Sequence, residues 1–131
     1  MVNNKSYYAL VFEGIRKDDF KQLEDLFFSR LLTQLVYDEV IQTVDIPRIL
    51  NHWGSVQLAR TNNDRKVLGT INEFQLQYTL HKEAARFDGR PLLHINHCIN
   101  TTPTGAAREG RRDYGHPIRD MKALIQAEMN G

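Results

Sequence analysis

Between Lys17 and Val40 the segment KDDFKQLEDLFFSRLLTQLVYDEV spaces Phe20, Leu23, Phe27 and Leu31 along one side of a helix, and Leu35 continues the stripe. Lys21, Glu24, Asp25 and Arg30 fall elsewhere on the wheel, and Asp18 and Asp19 suit the cap and the positive end of that helix. An apolar stripe of this length needs a core to lie against. A chain of 131 residues supplies one such core, so residues 1–131 read as a single globular domain. Its 41% apolar and 25% charged residues are ordinary for that class.

Around this helix the sequence divides between strand and helix signals. The run YYALVF, Tyr7 to Phe12, is β-prone and closes on Glu13-Gly14, which predicts a buried strand. SVQLART places Val56 and Leu58 on one face as a second strand, NNDR supplies turn residues, and KVLG returns as a third, so the pair reads as a hairpin. Thr70-Ile71-Asn72-Glu73 fits a capping box that would open a helix directly after Gly69. FQLQYTLH alternates as a strand would, but the cap, the Glu, Lys and Ala that follow, and Ile71, Phe74 and Tyr78 at helical spacing favour a helix there. Shorter helices are expected from Ile46 to Trp53, from Pro91 through LLHINHCIN with Leu92, Ile95 and Ile99 on one face, and from Pro117 with Ile118, Met121, Leu124 and Ile125. The predicted fold is α+β, a small antiparallel sheet of about three strands packed with four or five helices.

Charge and cysteine usage narrow the function classes. Seventeen Lys and Arg against sixteen Asp and Glu leave a net charge of +1, so no global field draws the chain to nucleic acid or anionic lipid. Cys98 stands alone, which removes any internal disulfide and points to a reducing cytoplasm. The first apolar run is too short and too soon interrupted by charge for a signal peptide, and none approaches the ~20 residues that span a bilayer.

Few residues suggest chemistry. His94, His97 and Cys98 in HINHC are potential metal ligands, and on a helix His94 and His97 share a side while Cys98 sits four residues from His94. Without HExxH, CxxC or a second cysteine the ligand set is incomplete, so no metal and no other cofactor is expected, with His94 and His97 the weak candidates. A Cys–His nucleophile is equally thin, because adjacent His97 and Cys98 diverge on a helix. The hairpin tip Asn62, Asn63, Asp64 and Arg65 offers hydrogen-bonding groups and one guanidinium. The long segment TTPTGAAREGRRDYGHP offers Arg108, Arg111, Arg112 and Tyr114, with Arg119 and His116 beyond, although Glu109, Asp113 and Asp120 dilute its charge. Turn chemistry and a solvated connection account for the same residues without any function.

The segment RTNNDRKVLGTINEF, Arg60 to Phe74, resembles a motif in a family of small uncharacterised bacterial proteins, in which an Asn- and Arg-rich turn leads through an apolar pair and a glycine to an Asn-acidic-Phe helix start. INHCINTTPTGA and YGHPI extend the similarity more loosely to Pro117, while Lys66 and Ile71 depart from the small hydroxyl residue and methionine of the pattern. The resemblance implies an accessory or mobile-element setting and transfers no catalytic residue.

The expected function is therefore that of a small cytoplasmic, non-enzymatic binding or regulatory protein with a protein partner or a twin subunit and no membrane. Asn62, Asn63, Asp64, Arg65, Arg108, Arg111, Arg112 and Tyr114 are its contact residues. Nucleic-acid binding through residues 108–119 is the alternative, and a nuclease or hydrolase built on His94, His97 or His116 stands behind it.

Overall fold

The structure, a computed structural model, describes residues 1–3, 5–53, 65–103 and 115–130. Helices account for most of them: α1 (Leu23–Tyr37), α2 (Ile46–Trp53), α3 (Arg65–Asp88), α4 (Leu92–Asn100) and α5 (Pro117–Asn130). Short 3₁₀ turns, Lys17–Gln22 and Thr43–Asp45, lead into α1 and α2. Among the described residues there is no strand, and one isolated antiparallel bridge joins Val2 to Ala9. The α+β expectation is thus corrected to a helical fold, and two causes can be separated.

The first is the Tyr7–Phe12 segment. Its alternation is real: Tyr8 and Leu10 are buried in one apolar cluster, with Phe12 packed against it, while Ala9 is buried in a second cluster, with Val11 against that. The backbone is held, however, by side chains instead of a neighbouring strand. Asn100 accepts from the Ala9 amide at 2.7 Å and donates to the Ala9 carbonyl at 2.8 Å. One turn earlier, Asn96 accepts from the Val11 amide at 2.6 Å and donates to the same Ala9 carbonyl at 2.9 Å. Buried main-chain groups need partners, and two carboxamides spaced four apart on α4 supply them. Period-two burial therefore arises without a sheet.

The second is the KVLG segment, which lies inside α3, so the predicted hairpin has no return strand. Thr70 caps nothing: it is buried, and its hydroxyl donates back to the Lys66 carbonyl at 2.8 Å, the i−4 bond of a threonine in a helix interior. A capping-box pattern five residues into a helix is a false start signal. The SVQLART strand lies outside the described residues. FQLQYTLH is helical, as the balance of signals favoured, and Gly89, at φ 67°, follows the end of α3.

The remaining helices lie where the periodicity put them, with α2 running from Ile46 to Trp53 and α5 opening at Pro117. Asp18 and Asp19 fall in the 3₁₀ turn ahead of α1, where Asp19 accepts from the Arg16 amide at 2.7 Å. Past α1, the Glu39 amide bonds to the Val36 carbonyl and the Val40 amide to the Leu35 carbonyl, with Glu39 left-handed at φ 59°. This is the paired closure that usually employs glycine, and it tucks Val40 into the core beside Leu35.

Two apolar clusters result. Leu31, Leu32 and Leu35 of α1, Ile49 of α2 and Met121 and Ile125 of α5 form the larger. Phe74 of α3 with Ile95 and Ile99 of α4 form the smaller. The amino-terminal segment runs between them and contributes alternate side chains to each.

Candidate functional site

Where α1 meets α4, polar side chains converge on Asp38, whose carboxylate is buried. Tyr8 donates its phenol to Oδ2 at 2.5 Å, Gln34 donates to Oδ1 at 3.1 Å, and His97 Nδ1 lies 2.6 Å from Oδ1. Gln34 also donates to the Leu93 carbonyl at 3.0 Å, which fastens α1 to the first turn of α4. Burial, and then the charge and hydrogen bond of Asp38, push the Tyr8 phenol well above its ordinary range, so it stays a donor. A carboxylate on Nδ1 fixes the His97 ring and leaves Nε2 facing away, an arrangement that general bases share.

A second polar line abuts the first. The Tyr37 hydroxyl lies 3.3 Å from His94 Nδ1, and Cys98 Sγ lies 3.6 Å from His94 Nε2. The His94 and His97 rings stack at 6.4 Å, and Tyr37 meets His97 edge-on at 5.8 Å. The sequence therefore identified the right neighbours on α4: His94 and His97 do share a side, and Cys98 pairs with His94, four residues back. Cys98 is half-buried. Both nitrogens of His94 and Nδ1 of His97 have protein partners, and among the described residues no group of three or more His, Cys, Asp or Glu is placed to hold a metal ion. Tyr8, Gln34, Tyr37, Asp38, Asn96 and Asn100 were missed from sequence. Only the asparagines left a signal, since they recur four apart directly beside the buried pair Ile95 and Ile99.

A third polar tie joins the amino-terminal segment to α3. Glu13 accepts from Tyr78 at 2.8 Å and from Lys82 at 2.9 Å. The Lys82 hydrogen bond, followed by that of Tyr78, holds the Glu13 carboxyl below its ordinary range. Each of these polar groups binds one element to another, so their evident role is to lock the amino-terminal segment, α1, α3 and α4 together.

The contact residues expected from sequence are not gathered by the described structure. Asn62, Asn63, Asp64, Arg108, Arg111, Arg112 and Tyr114 lie outside the described residues. Arg65 is exposed at the first position of α3 and is not at the tip of a hairpin. Arg119 is exposed on α5, its guanidinium 3.2 Å from Asp120, and the His116 amide donates to Asp120 at 3.2 Å. His81, on α3, lies 3.3 Å from the Arg90 guanidinium.

The outer face of α3 supplies what the sequence did not single out. Thr70 and Phe74 turn inward and are buried, with Tyr78 and Ala85 packed against the smaller cluster. On the far side Leu76, Leu80 and Phe87 stand 63%, 62% and 92% exposed. Single exposed apolar residues are commonplace, but these three are aligned on the solvent side of one helix as an exposed apolar row. Their neighbours on the wheel include Asn72, Glu73 and Glu83, a polar rim of the kind that surrounds such faces.

Among the described residues these features define helices clasped around an extended segment, with an apolar face of α3 left exposed. The chain belongs to the family described as a domain of unknown function (DUF6933), whose model matches residues 1–120. No curated protein and no solved structure matches the chain. Among the described residues no helix is long and apolar enough to cross a membrane.

Proposed function

We propose that this chain is a small, non-enzymatic binding protein of the cytoplasm that acts through a protein-contact surface, and that the outer face of α3 is that surface. One observation supports this reading: the solvent-facing row of Leu76, Leu80 and Phe87. Fully burying such side chains is worth roughly 1.5–3 kcal/mol each, and in the isolated fold α3 realises only part of that from Leu76 and Leu80 and little from Phe87. The near-neutral charge favours a protein over a nucleic acid as partner. The solitary cysteine suits a reducing compartment.

The test is a photo-reactive residue placed at Leu80 and, as a control, at exposed Glu24 on α1. Illumination in cells is expected to give a discrete protein adduct from position 80 and none from position 24. Absence of any protein adduct at 80 would remove this reading.

A further inference from the structure

Gly69 poses a question that the single chain does not answer. It lies inside α3, where glycine is less favourable than alanine. A Cβ built on it meets nothing within 4 Å, so packing among the described residues does not require its small size. At 3.6 residues per turn, Gly69 falls within about 40° of arc of Leu76, Leu80 and Phe87. The open face thus reads Gly69, Leu76, Leu80, Phe87, with steps of seven, four and seven residues.

That series is symmetric about position 78. Resting on the reading of α3 as a protein-contact face, we infer that its occupant is the α3 helix of a second copy of this chain, packed antiparallel across a twofold axis. Twofold interfaces are self-complementary, so each side chain needs its counterpart at the mirrored position. Here Leu76 meets Leu80 of the second copy, and Phe87 lies over Gly69 of the second copy. The glycine, unexplained in one chain, becomes the floor beneath an aromatic ring that is otherwise 92% exposed.

The charges fit as well. Glu73 and Glu83 flank the stripe on opposite sides, and antiparallel twofold pairing brings like flanks together. Glu73 therefore runs beside Ala84 of the second copy, and Glu83 beside Asn72 of the second copy. No acid faces an acid. From Gly69 to Phe87 the face is about 27 Å long, which suits a modest, concentration-dependent dimer in place of an obligate one.

The test uses the full chain and two variants, Leu76→Glu and Leu80→Lys, both at exposed positions, with circular dichroism confirming that each folds. Sedimentation velocity over about 1 μM to 1 mM covers the range in which such an association is read. The wild type is expected to dimerise, and each variant alone to dimerise at least about tenfold more weakly, because a charge is buried against leucine twice per dimer. An equimolar mixture of the two variants is expected to regain dimer. Antiparallel pairing sets the introduced carboxylate at position 76 of one variant against the introduced ammonium at position 80 of the other. It leaves the native leucines at the remaining two positions facing each other, whereas parallel pairing joins neither couple.

A monomeric wild type overturns the inference, as does a wild-type dimer indifferent to both substitutions. Variants that fail to rescue each other overturn the antiparallel register. A monomeric wild type that still cross-links from position 80 to a different protein discards the second copy and leaves the binding reading standing. A monomer that cross-links to nothing discards both.

Discussion

Two asparagine side chains, Asn96 and Asn100, make the amino-terminal segment part of the core. Between them they satisfy the Ala9 and Val11 amides and give the Ala9 carbonyl two donors, all at 2.6–2.9 Å. Neither carboxamide is accessible to water, so truncating one strands buried main-chain groups instead of merely deleting a bond. Asn100→Ala leaves the Ala9 amide without its acceptor and is expected to cost about 1–3 kcal/mol in urea unfolding. A loss below about 0.5 kcal/mol would show that water replaces the carboxamide and that the clasp is not structural. At this scale the sequence was partly legible. The apolar members of LLHINHCIN were placed on the right face, but Asn96 and Asn100, one position on from Ile95 and Ile99 and nearly as buried, passed unnoticed. Hydrophobic periodicity gives polar residues no inward direction, and only a partner elsewhere in the chain makes an inward asparagine worthwhile.

Among the elements, the long helices were legible because their stripes repeat over several turns, whereas α3 was blurred by local signals that compete with its true start. Thr70 and Glu73 match a cap, Gly69 matches a break, and FQLQYTLH alternates, yet the helix runs through all three from Arg65. Its inner face carries the tie to Glu13, which makes the docking of the amino-terminal segment depend on pH. The folded state holds the Glu13 carboxyl below its unfolded range, so the charged form is favoured by folding. The stabilisation is complete above the ordinary glutamate range and declines as pH falls through that range toward the lowered folded value. Hydrogen exchange of the Val11 amide, corrected for intrinsic rate, is expected to quicken as pH drops from neutral into that window. Glu13→Gln, which no longer titrates, should flatten the part of the dependence due to this carboxyl. An unchanged profile in that variant would assign the pH response to another group.

Across the whole molecule, one of the two sources of the error in fold class, the Tyr7–Phe12 segment, also carries the logic of the fold. The β-prone apolar run Tyr7–Phe12 implied a buried strand, and the structure adds that its side chains alternate between two environments, the burial a sheet usually provides. Here the two environments are two apolar clusters, and the segment contributes Tyr8 and Leu10 to one and Ala9 and Val11 to the other. Nothing in the alternation itself distinguishes a strand between layers from a lone extended chain between helices. This arrangement makes the segment a mechanical link between the α1–α2–α5 side and the α3–α4 side, beside the direct ties of α1 to α4 at Gln34 and Asp38. Neither cluster keeps its inner wall if the segment leaves, so both are expected to melt together. The chain has one tryptophan, Trp53, stacked on Phe28 beside the larger cluster, and its fluorescence reports that side alone. Far-ultraviolet circular dichroism reports helices on both sides, α3 being the longest of those described. In urea the two signals should share one midpoint, and Asn100→Ala, made on the α4 side, should move the Trp53 transition as far as the helical one. Separate midpoints, or a substitution that shifts helicity while leaving Trp53 in place, would mean that the clusters fold independently and that the segment does not couple them.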